Sequence, residues 1–368
     1  MEVLVAPDSF GGTLTAAEVV DAFSQGWSER RPADRVRGLP LSDGGEGLLT
    51  VLAALHPDAT GTHVEVAGTD TRPVLAPLLW LDERTVVLES AAICGLPPAG
   101  APRRPLEATS YGVGQALAHV VRAGARHVVL GLGGTGVVDG GSGALNGLGM
   151  RLTVGDGSGL RVGAGDLAAC VAIERGWSAW SEDVALTLLA DSLVVLDEAV
   201  PRFGPQKGVS PQQAGPLAEA LRSWAGVLTR TLPGPVDAMT PGTGAAGGLG
   251  LGLGVALGGR IVSGAAWVAE RAGLDAAVAA ADLVVTGEGR LDATSGTGKV
   301  VSHVLDAARA HVRATAAVVG SLAPGAADAL GIPASNVVTA PAAGPGPAAR
   351  EAVRAAAVAL ATRLPSVP

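Results

Sequence analysis

Lysine is nearly missing from this chain of 368 residues: the 26 basic residues include only two lysines, Lys207 and Lys299. Aromatic side chains are scarce too, with three Phe, one Tyr and six Trp, so any core must be built from aliphatic residues and alanine. The two cysteines, Cys94 and Cys170, are far apart and lack CxxC spacing. They offer no disulfide framework and no thiolate metal cluster, and they fit a reducing compartment, so the expected location is the cytoplasm. A net charge of −8 leaves no basic face for nucleic acid or an anionic membrane, and neither partner is expected. The six histidines form no HxH, HExxH or Ser-His-Asp pattern, which removes the usual carriers of metal and serine hydrolase chemistry. The start of the chain lacks the basic opening and long apolar core of a signal peptide. The longest membrane-like stretch, Gly242 to Gly259, is too rich in glycine for a spanning helix and reads as a closely packed buried helix or loop.

What the chain has instead is glycine, 54 residues of it, and both lysines lie in glycine-rich segments, FGPQKG and SGTGK. Apolar runs alternate with helical patterns at both ends: EVLVA, a helix from Thr13, RVRGLPL and GLLTVLAAL early, then ADLVVTG, VVSHVLDAARA, RATAAVVGS, NVVTA and AREAVRAAAVALATRL late. That order predicts an α/β fold with an open, mainly parallel sheet and helices on both faces, a Rossmann-like or flavodoxin-like domain shared by residues 1–70 and 275–368. The middle, 71–274, changes to proline and glycine loops with short strands and reads as an inserted second α/β domain. A cleft between the two is the expected ligand site, because ligands of such sheets bind beyond the carboxyl ends of the strands.

Several turns could hold an anion. APDSFGGT follows the first strand and places Asp8 and Ser9 before paired glycines. DGGEG (Asp43, Gly44, Gly45, Glu46, Gly47) and DGGSG (Asp139, Gly140, Gly141, Ser142, Gly143) each follow a strand-like run and precede a helical one. Glycines there let backbone N–H groups approach an anion, although helix capping by the aspartate accounts for the same pattern. Gly131, Gly133 and Gly136 have GxGxxG spacing with Asp156 downstream, which on paper is a dinucleotide fingerprint. A second such spacing at Gly242 shows how easily this composition produces one. A phosphate loop of the GxxxxGK[ST] type is absent, since Ala293 and Val300 occupy two of its required positions. VVTGEGRLDATSGTGK crowds Glu288, Arg290, Asp292 and Lys299 after a strand, a mixture of signs suited to Mg²⁺ and phosphate together or to a solvated loop of ion pairs. Asp191, closing the strand VALTLLA, adds a carboxylate, and such an acid serves as a cap as readily as a base.

At these residues the sequence resembles the type I glycerate kinases. APDSFGG, LSDGGEG, TSYGVG, GLGGTGVVDGGSG, FGPQKG, PGTGAAGGLG and ADLVVTGEGRLDATSGTGK match segments of that family in order, across nearly the whole chain. The resemblance implies two α/β domains, ATP with Mg²⁺ as phosphoryl donor, and glycerate or a similar small hydroxy acid as acceptor. It implies that Asp8 and Ser9 face the acceptor or the transferred phosphate and that Asp191 is the base. Lys207 and Lys299 would supply point charges, Glu288 and Asp292 a metal or water shell, and Gly133, Gly134, Gly140 and Gly141 close backbone approach.

The chain departs from the family pattern at Gly11, where the family has lysine, and at Val137-Val138, where it has Thr-Asn. It departs again after Asp191, where Asn-Pro-Leu is not recognisable, and at Thr294-Ser295 in place of Gln-Thr. Arg290, Arg202 or Arg104 could replace the missing cation. Two other readings follow from the same residues: a catalytically weakened relative that binds or regulates, and an NAD-dependent oxidoreductase resting on the glycine spacing alone. The oligomeric state is left open, a homo-oligomer included.

Overall fold

The computed structural model describes residues 1–98, 100–176, 178–232, 234–296, 298–342 and 344–364, excluding the side chains of residues 293 and 294. The chain divides into two compact units, Met1–Leu55 with Gly264–Pro368, and His56–Ser263. Strands β1 (Glu2–Pro7) and β2 (Arg35–Gly38) open the first unit. The second holds β3 (Thr60–Ala67), β4 (Pro73–Trp80), β5 (Thr85–Glu89), β6 (His127–Gly131), β7 (Arg151–Val154), β8 (Cys170–Glu174), β9 (Ala185–Ala190) and β10 (Arg260–Ser263). The chain then returns to the first unit with β11 (Leu283–Leu291), β12 (Ala314–Leu322) and β13 (Val337–Thr339).

In the first unit the described strands pair in the order β13-β12-β11-β1-β2, every pair parallel. Short apolar runs such as EVLVAP are buried on both faces because helices cover both sides of the sheet. On one side Val3 and Val5 meet Phe23 and Trp27 of helix Ala16–Arg30 and Val353 and Leu360 of helix Pro347–Arg363. On the other, Val301 and Leu305 of helix Val300–Ala310 pack on Ala317 and Val319. Helix Ala16–Arg30 starts where the sequence offers a reciprocal cap: Thr15 accepts from the Glu18 N–H while Glu18 accepts from the Thr15 N–H. Gly26 lets the two helices touch, since a Cβ there would lie 2.2 Å from the Arg354 carbonyl oxygen.

In the second unit the order is β10-β9-β6-β5-β4-β3, with β10, β9, β6 and β5 parallel and β4 and β3 antiparallel; β7 and β8 form a separate ribbon. The sequence reading carried the first segment to residue 70. The chain passes into the second unit at His56, because Thr60–Ala67 pairs with Pro73–Trp80 across a turn closed by the Gly68 N–H on the Arg72 carbonyl at 2.7 Å. Likewise it returns at Gly264, directly after β10 pairs with β9, rather than near residue 275. The glycine-rich stretch from Gly242 contains the buried helix Leu249–Leu257, whose small residues admit a neighbouring backbone: a Cβ on Gly252 would lie 2.6 Å from the Gly140 carbonyl oxygen. Among the described residues no helix is long and apolar enough to cross a membrane.

Trp27 is fully buried and stacks on Phe23 at a ring separation of 5.5 Å. Trp27→Ala is therefore expected to cost about 3–5 kcal/mol, measured as a lower urea midpoint, and a loss under about 1 kcal/mol would contradict this packing.

Candidate functional site

Parallel strands send all their carboxyl ends to one edge of a sheet, and that edge carries the candidate residues in each unit. In the first unit β1 ends at Pro7, opposite Gly287 of β11, and the Asp8 N–H donates to the Gly287 carbonyl at 2.9 Å. Asp8 Oδ1 accepts the Ser9 N–H at 2.7 Å. The following turn is closed by the Phe10 N–H on the Leu14 carbonyl and the Thr13 N–H on the Phe10 carbonyl, both at 2.8 Å, while the buried Phe10 ring anchors it. Gly11 is exposed and a Cβ there would meet nothing within 4 Å, so packing does not demand glycine at this departure from the family pattern.

Asp43 Oδ1 accepts the Gly45 N–H at 3.1 Å and Ser42 Oγ the Gly44 N–H at 3.2 Å, which shapes the turn before helix Leu48–Leu55. Gly264 is required beside it, since a Cβ there would stand 2.1 Å from the Asp43 carbonyl oxygen. Glu46 is exposed and lines a cavity of about 60 Å³ with Ser9. Within β11 Glu288 is buried; Ser295, also buried, hydrogen-bonds its carboxylate and accepts the Asp292 N–H at 3.0 Å. The other Glu288 oxygen, Oε1, has no hydrogen-bond partner among the described residues. Arg290 points outward, 3.4 Å from Asp292, and Lys299 stands at the start of helix Val300–Ala310. Of the Thr294-Ser295 departure, Ser295 keeps a working hydroxyl, and the Thr294 side chain lies outside the described residues.

These carboxylates repel one another. Burial holds the Asp8 carboxyl well above the usual carboxylate range and the Asp43 and Glu288 charges push it further, against the Ser9 N–H and Lys299. Burial raises Glu288 as well, with Asp292 and Asp43 adding and the Ser295 hydroxyl and Lys299 opposing. Among the described residues no three His, Cys, Asp or Glu side chains are grouped so that they could hold a metal ion by themselves.

The second unit has a different character. After β6 the chain runs through Gly133, Gly134 and Thr135, and the Gly136 N–H donates to the Cys94 carbonyl at 2.9 Å. The next helix begins only at Ser142, so the GxGxxG spacing lacks the tight strand-to-helix turn of a dinucleotide site; Asp156 is exposed. Lys207, in the turn Pro205–Lys207, is 5% exposed and donates to the Val137 carbonyl at 2.8 Å and to Thr135 Oγ1 at 3.3 Å. Burial pulls its pKa down to about 8, opposed chiefly by the nearby Asp191 carboxylate. Asp191 and Lys207 are thus neighbours: Asp191 directly follows β9 and lies within electrostatic reach of Lys207.

Asp139 is fully buried and committed to its own surroundings. It accepts the Ser110 N–H at 2.8 Å, the Ser110 hydroxyl at 2.9 Å, the Thr109 hydroxyl at 3.4 Å and the Gly141 N–H at 3.2 Å. Gly140, at φ +62°, would drive a Cβ to within 2.5 Å of the Trp224 ring, and Gly141 backs onto helix Leu249–Leu257. In this structure Asp139, Gly140 and Gly141 tie loops and helices together and present no open surface, unlike the exposed Gly134. The Val137 and Val138 side chains belong to the apolar core, and it is the Val137 carbonyl that faces Lys207. Sequence reasoning passed over Ser110, Thr135 and Ser295 as individual partners. Their only signal was membership of motifs, because hydroxyls are read by contacts and not by spacing. Arg202 is paired with Glu198 at 3.9 Å, and Arg104 with Glu107 at 3.0 Å.

Comparison with known proteins follows this geometry. The model of the glycerate kinase family matches residues 3–363. Glycerate 2-kinase of Escherichia coli is 33% identical over 328 residues, covering 88% of this chain and 86% of that protein. An uncharacterised protein of Mycobacterium bovis is 39% identical over 315 residues, covering 84% of this chain and 76% of its own length. The crystal structure of a candidate glycerate kinase 2 from Salmonella typhimurium LT2 superposes with a TM-score of 0.75 at 32% identity, over 98% of this chain and 97% of that one.

The crowding around Asp8 has a direct consequence for stability. Its carboxyl keeps a proton to higher pH folded than unfolded, so its contribution to stability falls as pH rises through the folded value. Asp8→Asn keeps the acceptor for the Ser9 N–H and removes the repulsion. A gain of about 0.5–2 kcal/mol at pH 8, with a weaker decline of stability as pH rises above the ordinary carboxylate range than in the unsubstituted chain, is expected from denaturation at several pH values; a loss of stability would refute the repulsion.

Proposed function

Because the chain belongs to the glycerate kinase family, we propose that it transfers the γ-phosphoryl group of ATP to a hydroxyl of glycerate or a closely similar small hydroxy acid. The observation that carries this reading is the buried Lys207 ammonium within electrostatic reach of Asp191, which follows the parallel strand β9. Phosphoryl transfer asks a protein mainly to position reactants and to neutralise charge, with one carboxylate orienting the attacking hydroxyl and receiving its proton. Asp191 takes that role, and Lys207 balances negative charge on the reacting oxygens.

The first unit carries its own set of charged groups. The unpartnered Glu288 Oε1 and the mutual repulsion of Asp8, Asp43 and Glu288 fit a divalent cation, which would relieve both. Magnesium in kinases is held by one or two carboxylates together with phosphates and water, so a complete protein cage is not required. Asp8 and Glu288 would hold Mg²⁺, with Asp43 and Asp292 around them, and Lys299 and the Ser9 turn would meet phosphate. Bound there, the metal supplies charge neutralisation on the phosphates. The weakened-relative reading drew in part on the Val137-Val138 pair, whose side chains are core, so that pair does not favour it.

A coupled ADP-release assay is expected to show turnover that needs both D-glycerate and Mg²⁺; no turnover with any small hydroxy acid would defeat the proposal. Lys207→Ala should lower kcat/KM by about 10²–10³-fold. The ammonium, and not the free amine, balances charge, so kcat/KM should fall as pH rises through about 8. A profile flat to pH 10 would exclude Lys207 from this role.

A further inference from the structure

The second unit contains a cavity of about 1110 Å³, lined in part by apolar Ile93, Leu96, Pro98, Leu106 and Val162. Five cations border it: Arg72, Arg103, Arg104, Arg161 and Lys207. Three of the arginines are spent within their own loops, Arg72 on Asp70 at 2.7 Å, Arg104 on Glu107 at 3.0 Å, and Arg161 on Asp166. Among the described residues Arg103 forms no ion pair and no side-chain hydrogen bond. Its stem lies over Gly208, where an added Cβ would approach Arg103 Cβ to 2.5 Å, and Gly208 has φ +89°. A bare, left-handed residue next to Lys207 thus brings Arg103 up to the lysine's turn. Lys207 gives two of its three N–H bonds to Thr135 and Val137, which leaves one for the cavity it lines.

A guanidinium with no acid of its own, on a stem packed over the turn that carries an ammonium with an unspent donor, is a receptor for an oxyanion. Its planar fork matches carboxylate and phosphate alike. The cavity reaches the upper end of the roughly 300–1,000 Å³ that small-molecule sites span, so it has room for either substrate of the proposed reaction.

Resting on the kinase reading above, we propose that Arg103 anchors a substrate in this cavity, joining Lys207 on one oxyanion, either the acceptor's carboxylate or a nucleotide phosphate. The cavity is then a substrate site, and Gly208 is glycine so that Arg103 can reach it.

The test compares the unsubstituted protein with Arg103→Ala and Arg103→Lys, measuring KM for D-glycerate and for ATP separately and the thermal shift that each produces without the other. The expected result is a rise of about 10–100-fold in KM for one of the two, little change in kcat, and loss of the matching thermal shift in the alanine variant, with lysine intermediate. Whichever substrate is affected identifies the oxyanion. Unchanged KM values and thermal shifts for both, or a fall in kcat alone, would overturn the assignment while leaving the kinase reading intact. If the unsubstituted protein shows no turnover, the kinase reading fails. The thermal shifts then decide Arg103 independently: a shift abolished by Arg103→Ala upholds the cavity as an oxyanion site, and its persistence in the variant rejects it.

Discussion

Charge that is kept out of water must be answered by other charge or by hydrogen bonds, and this constraint sorts the polar residues of both units. Asp139 and Glu288 are both buried acids, the first in the loop after β6 and the second within β11. Asp139 is answered by Ser110, Thr109 and the Gly141 N–H, and serves as a bracket between the helix that begins at Tyr111 and the helix that begins at Ser142. Glu288 has one oxygen on Ser295 and the other unanswered, with more acids nearby. The first arrangement is complete in itself; the second leaves a buried carboxylate oxygen without a hydrogen-bond partner among the described residues.

Lys207 stands between these cases. Two hydrogen bonds hold its ammonium and the nearby Asp191 and Asp139 carboxyls favour its charge, yet burial outweighs them. A lysine placed so that its proton is lost near neutral pH is a group whose charge matters to what it touches. The parallel sheets explain why such groups collect where they do: Asp8, Asp43 and Asp292 follow strands of one sheet, and the 133–141 loop and Asp191 follow strands of the other. Regular pairing carries the backbone hydrogen bonds, and the loops beyond it are free to carry polar side chains.

Much of this was legible beforehand. EVLVA, VVSHVLDAARA and the closing alanine-rich run became β1, helix Val300–Ala310 and helix Pro347–Arg363, because their apolar spacing suits one period only. Asp191 and Lys207 were each singled out through the motifs, but that they lie within electrostatic reach of each other was set by the fold. What escaped was anything set by contact. DGGEG and DGGSG look alike as strings, yet the first leaves Asp43 among other acids and the second encloses Asp139 among hydroxyls. Thr60–Ala67 was read with the first unit because nothing local reveals that its partner is the strand that follows it.

The amino-acid order alone determined the α/β alternation, the glycine-rich turns at strand ends and the membership in a family, since each depends on residue types at short separations. The burial of Val137-Val138, the isolation of Glu288 Oε1 and the placement of Arg103 over Gly208 were decided only by the folded chain. Each is a matter of which distant atoms share a low-dielectric space, and no spacing along the sequence encodes that.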